Sequence, residues 1–343
     1  MRLPSIALLL CLVATMAQAQ EAAPESPMGV AATDTTAPSV RDMDTVVVTG
    51  AQPGPGMWKV RKGDHVLWIL GTVTPLPSGI EWNADDVVAA LMQSDEVLGS
   101  PRFVLDADIG LFRGFLLVPT ALKAGRNPDG QTLKDVLPVD MYQRWAAMKP
   151  RYFGRDRGIE KKRPLLVANE LYAQANRKAG LGQKAVISPV IQAVLKERGM
   201  KTTPTTLKIE IDDPKAAIKE FSREKVNDLE CLRTAMDRAE NEIPTLIARA
   251  NAWSIGDIET LRRLPVTDQQ GICMDALLGG EYAKKRGISD LEAQVRNKWL
   301  EVVETALAKN RVTFATLPIS AMLAADGYLA PLRAKGYAVE APE

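Results

Sequence analysis

The sequence predicts a helix-rich α/β (α+β) fold whose central sheet is formed by strands from both ends of the chain. Three observations carry that prediction. Apolar, β-prone runs lie near the two ends of the folded region, HVLWILG at 65–71 and RVTFATLP at 311–318. Between them the pattern is helical, with cap residues and prolines at helix starts. The chain has 343 residues, 46% of them hydrophobic, which is enough for a sizeable core.

The elements follow in order. Arg2, the apolar stretch IALLLCLVATM and the small-x-small triplet Ala17-Gln18-Ala19 read as a cleaved secretory leader over residues 1–19. A lipoprotein at Cys11 is disfavoured, because bulky Leu10 stands where a small residue is needed. Residues 20–55 are rich in Ala, Pro, Thr and Gly and read as a flexible leader, with TVVVTG as a β-prone exception. MWKVRKGDHVLWILG reads as a hairpin turning at Gly63-Asp64. Asn83 caps a helix to about residue 93, and DEVLGS is a short strand ending at Ser100. Helices are expected near 139–148, 164–179 and 189–198, then an extended KTTPTTLKIEI. Asp213-Pro214 opens a helix carrying Ile218, Phe221, Leu229 and Leu232. Pro244 and Gly256-Asp257 mark two more starts, and 268–278 is a helix with Cys273. Ser289 and Glu292 form a capping box for a helix to about residue 309. RVTFATLP, a helix at 325–334 and the strand YAVE complete the series.

Composition narrows the function. A net charge of +1 gives no reason to expect a nucleic-acid partner. One histidine excludes any site needing two imidazoles, the H-E-x-x-H zinc proteases included. After leader removal two cysteines remain, Cys231 and Cys273. An even number in an oxidising compartment points to a disulfide, the alternative being two buried thiols. No stretch beyond the leader is long and apolar enough for a membrane helix, so the expected location is the periplasm.

Four segments in order resemble the TraB/GumN family, which is related to the animal TIKI proteases. They are MWKVRKGDHVLWILGTVTPLP, ANAWSIGDIETLRRLP, RNKWLEVVETAL and GYLAPLRAKGYAVE, covering about 57–340. The resemblance implies one TraB/GumN-like domain over 56–343, built from two related halves. It also implies a metal-dependent hydrolytic site: a Gly-x-x-His after the second strand, a Glu after the next, a second Gly-x-x-His near the C-terminus and an Arg-Asn pair on the preceding helix. Carried over, the first motif falls on Gly71-Thr72-Val73-Thr74 and the glutamate on or beside Ser100. The second falls on Pro318-Ile319-Ser320-Ala321. Both histidines are replaced, while Arg296 and Asn297 remain. A threonine hydroxyl is a weak metal ligand and a poor base without an activating partner.

The expectation is therefore an inactive member that binds or scaffolds, with no catalytic residue, no metal and no cofactor. Its candidate pocket holds Thr72, Thr74, Ser100, Arg296, Asn297 and Ser320, and its ligand is a peptide, a glycan or an anionic small molecule. The alternatives are a metal-dependent peptidase or hydrolase with a rearranged site, using carboxylates such as Asp106 or Asp108 or a metal held by oxygen ligands, and an envelope polysaccharide assembly factor. Of the remaining candidates, His65 reads as a partly exposed strand residue beside the turn, or as a lone general base. Arg296 either forks a carboxylate or phosphate, or braces the strand ends. RYFGRDRGIEKKR reads as a solvated basic loop, and Glu210, Asp212 and Asp213 as strand end plus helix cap.

Overall fold

The computed structural model describes residues 52–107, 111–182, 184–223, 228–265, 267–278, 288 and 290–342. The secretory leader, TVVVTG, Asp108 and Ser289 lie outside the described residues. Strands β1 (Met57–Lys62) and β2 (His65–Thr72) form the hairpin, turned at Gly63, whose φ of 59° suits glycine. Then come α1 (Asp85–Gln93), β3 (Glu96–Leu98), β4 (Arg102–Asp106) and α2 (Leu111–Ala124). The helical middle comprises α3 (Leu133–Val136), α4 (Val139–Phe153), α5 (Pro164–Lys178) and α6 (Ser188–Glu197). After β5 (Thr206–Glu210) follow α7 (Pro214–Arg223), α8 (Leu229–Asp237), α9 (Ile243–Ser254), α10 (Ile258–Arg263) and α11 (Gln269–Leu278). The chain closes with α12 (Leu291–Lys309), β6 (Val312–Pro318), α13 (Ile319–Leu323), α14 (Leu329–Ala334) and β7 (Ala338–Glu340).

The main sheet has the order β3-β6-β2-β1-β7. Strands β3, β6 and β2 are mutually parallel, while β1 runs antiparallel to both β2 and β7. The two ends of the chain thus build one sheet. Its faces follow the period-two alternation of a strand. Leu67 and Ile69 of β2 pack with Trp58, Trp253 and Trp299, beneath α9 and α12. Leu70 and the partly buried Trp68 point the other way, to Phe314, Leu91 and Leu195, beneath α1 and α6. A separate core of α4, α5, α8 and α11 surrounds fully buried Trp145, and there Cys231 and Cys273 form a disulfide. The small parallel pair β4–β5 packs beside Leu291 and Val295 at the start of α12.

Local chemistry explains the boundaries and corrects some expectations. Asp213 and Asp257 accept the backbone N–H groups of Ala216 and Thr260, as helix caps do. Asn83 accepts from Asp85 N at 2.8 Å, but the residue at the cap position of α1 is Ala84. The cap of α12 is Asp290, accepting from Ala293 N. The helix expected over 325–334 is shorter, Leu329–Ala334, and a separate short helix, α13, follows β6 directly and buries Ile319 and Met322. Phe221 and Leu229 lie on separate helices, α7 and α8. The basic stretch 151–163 is no simple loop: α4 runs to Phe153, Ile159 is buried, and Arg163 stacks on the Phe221 ring.

Candidate functional site

Since β2, β3 and β6 are parallel, their carboxyl ends emerge at one edge of the sheet, the usual place for ligands in such sheets. Gly71 fixes this edge. A Cβ there would lie 2.9 Å from Trp58 and 3.1 Å from Ile319, so only glycine fits without displacement. Its carbonyl accepts from Trp253 Nε1 at 2.8 Å. One residue on, the Thr72 hydroxyl donates to the Leu317 carbonyl at 3.2 Å, joining the ends of β2 and β6. The chain then turns outward through exposed Thr74 and a cis Thr74–Pro75 bond, while Val73 and Leu76 stay buried.

A cleft of about 450 Å³ opens here. Its polar lining is Thr72, Thr74, Ser100, Ser188, Thr316 and Lys184; its apolar lining includes Val73, Ile187 and Ile191. The Ser100 and Thr316 hydroxyls lie 2.6 Å apart and hydrogen bond to each other. The backbone carbonyl of Ser100 accepts from Thr205 Oγ1 at 3.0 Å, which holds the β3 exit in place. The far wall, Gly182 and residues 184–188, is tied to the β2 exit by the Gly182 N–H bond to the Leu76 carbonyl. Lys184 is the one charged side chain lining the cleft among the described residues, and it has no ion-pair partner among them.

Three of the six residues expected from the sequence, Thr72, Thr74 and Ser100, share this cleft; Arg296, Asn297 and Ser320 are not in its lining. Arg296 and Asn297 lie on α12, whose Trp299 packs in the same core as the cleft residues Val73 and Leu76, but neither side chain reaches the lining. The Tyr328 hydroxyl is pushed up to about 12 by burial and by Glu292, with the charge of Arg296 opposing. Ser320 is half-buried in α13, whose Ile319 and Met322 face the core. Thr316, Lys184 and Ser188 complete the cleft, and no local sequence signal marks them. Thr316 looks like any residue of an apolar strand. Gly180 and Gly182, both with φ of 70°, and Ser188-Pro189 mark a loop running into a helix, but not where that loop lands.

The other candidates lie elsewhere. His65 starts β2, so seven residues of strand, roughly 23 Å, separate it from Thr72. Its Nδ1 is 2.7 Å from the Asn310 carbonyl. Asp106 ends β4 and pairs with Lys208 at 3.0 Å. A divalent ion prefers imidazole, thiolate or carboxylate. The cleft offers neutral hydroxyls and an ammonium, and this donor set does not fit a metal. Among the described residues no group of three or more His, Cys, Asp or Glu is placed to hold one.

A family model described as the TraB/PrgY/gumN family matches residues 56–341. No curated protein matches, and no solved structure matches.

Proposed function

Because the chain belongs to the TraB/PrgY/gumN family, we propose that it is a binding member of that family, whose sheet-edge cleft holds a polar or anionic ligand without hydrolysing it. The observation that carries this reading is the lining itself. Five hydroxyl side chains and the ammonium of Lys184 meet there with no acid, imidazole or thiol among the described lining. Hydroxyls both donate and accept, which suits the oxygens of a peptide or a glycan. Lys184 adds selectivity for negative charge, and a charge-assisted hydrogen bond is the strongest available to it. Among the described lining residues no carboxylate or imidazole stands beside these hydroxyls to activate one as a nucleophile.

Residues 1–19 act as a cleaved secretory leader, and the chain works in the periplasm. The disulfide Cys231–Cys273 supports this, since such links persist in oxidising compartments. No helix among the described residues is long and apolar enough to cross a membrane.

Metal analysis of the purified protein, with a peptidase assay in added manganese or cobalt, tests the reading. Sub-stoichiometric metal and no turnover are expected. Calorimetric titration with acidic oligosaccharides and acidic peptides should find a ligand whose affinity falls about tenfold on Lys184→Ala, as loss of one charged hydrogen bond requires. Stoichiometric metal with turnover would overturn the proposal.

A further inference from the structure

Helix α2 is built inside out. Phe115, Val118, Pro119 and Leu122 stand at i, i+3, i+4 and i+7, the spacing that normally turns an apolar stripe to the core. Here that stripe faces solvent: Phe115 is 74% exposed, Leu122 66% and Val118 47%, with Leu116 beside them at 64%. The opposite side, where Ala124 is buried and Thr120 and Leu117 are half-buried, meets the protein, and α2 packs on α7. A polar residue inside and a phenylalanine outside is costly in water unless something covers the stripe.

The charges around it indicate what covers it. In the second half of α2 and just beyond it the described charged side chains are Lys123 and Arg126, both exposed, the nearest acid along the chain being Asp129. On α7 the exposed side chains include Lys215, Lys219 and Arg223 against one acid, Glu220. A second copy docked stripe to stripe would bring these like charges together. An anionic lipid surface complements both features, taking the apolar residues into its acyl boundary and the cations among its phosphates. With 14 residues, about 21 Å, α2 is too short to span and suits lying in the plane. We propose that the exposed face of α2, flanked by Lys123 and Arg126, docks the protein reversibly on an anionic phospholipid surface.

Vesicle flotation tests this on the processed chain from Gln20 onward. The protein should float with phosphatidylglycerol-containing vesicles and much less with pure phosphatidylcholine, and the binding should weaken as salt rises. The double substitution Phe115→Ser/Leu122→Ser, on exposed positions, should lower partitioning about tenfold or more. Lys123→Glu should lower it several-fold, and Val139→Ser, an exposed apolar control elsewhere, should leave it unchanged. Lys123→Glu keeps the question open to measurement even if the double variant folds poorly. Failure to bind anionic vesicles, or equal binding to neutral ones, would overturn the proposal. So would a concentration-dependent dimer in light scattering that the double variant dissolves, which would make a second copy the occupant.

Discussion

Substituting Gly71 by alanine adds one methyl group at the most crowded point of the sheet edge. Two effects oppose each other. Gly71 does not have a positive φ, so alanine fits its backbone and gains about 0.4–1 kcal/mol by restricting the unfolded chain. Against this, the new Cβ would sit 2.9 Å from the Trp58 ring and 3.1 Å from Ile319 Cδ1 and Cγ1. Trp58 and Ile319 are each 1% exposed, so neither has open space to move into. Overpacking of this kind costs about 1–3 kcal/mol. At the middle of both ranges crowding wins, and Gly71→Ala should destabilise by about 1.3 kcal/mol. Urea unfolding would read this as a lower midpoint at unchanged slope. A second substitution isolates the cause. Ile319→Val removes Cδ1, one of the crowding atoms, and normally costs about 0.5–1.5 kcal/mol. In the Gly71→Ala background it should cost clearly less, because the methyl that clashes is gone. An unchanged or raised midpoint for Gly71→Ala, or an equal cost of Ile319→Val in both backgrounds, would refute the argument.

Three more outcomes are expected. Replacing both Cys231 and Cys273 by alanine should cost up to about 4 kcal/mol, the chain-entropy value for a loop of 42 residues; a loss under about 1 kcal/mol would mean that closing the loop contributes little. Burial raises the Asp228 carboxyl, only partly offset by its bond from Leu165 N and by Arg163. The folded state therefore holds that proton more tightly. Stability from this group is full below the ordinary carboxylate value of about 3.9 and falls as pH rises through the raised value. Asp228→Asn should abolish that step, and parallel urea midpoints of variant and wild type across the acid range would rule it out. Thr316→Val removes the 2.6 Å hydroxyl pair with Ser100 and should cost about 0.5–1.5 kcal/mol in thermal or urea unfolding; no measurable loss would show that Ser100 exchanges Thr316 for water at no cost.

The hairpin, β6 and the capped helices were legible because their signals are local. Alternating apolar residues made β2, and Asp213 and Asp257 accept the N–H groups their positions suggest. Residues 102–124 were not legible. β4 pairs only with β5 and exposes Leu105, so it lacks a one-sided apolar pattern. α2 contains Gly114 and Pro119 and turns its apolar stripe outward, against the rule by which such stripes are read. At the site, order along the chain placed Thr72, Thr74 and Ser100 at strand exits, and parallel pairing brought those exits together. Arg296 stands outside the cleft lining, because helix periodicity tells which side of α12 is buried but not how far along the sheet edge its other side chains reach. Lys184 was missed for a related reason: its loop reaches the cleft through the Leu76–Gly182 bond, a contact across about a hundred residues.

The strand order carries a consequence for how the protein is made. β6 lies between β3 and β2, yet 245 residues separate Thr72 from Leu317, which its hydroxyl contacts. At a ribosomal pace of about 5–20 residues per second, β2 waits roughly 10–50 s for its central neighbour to be synthesised. Until then β2 and β3 each present a bare row of hydrogen-bonding groups, and no stable sheet exists to fold around. A nascent chain in this condition stays threadable through a narrow pore while it is being made. It also means that a stop codon between Leu98 and Val312 leaves the β1–β2 hairpin and β3 unjoined, with sticky edges, rather than a smaller version of the fold.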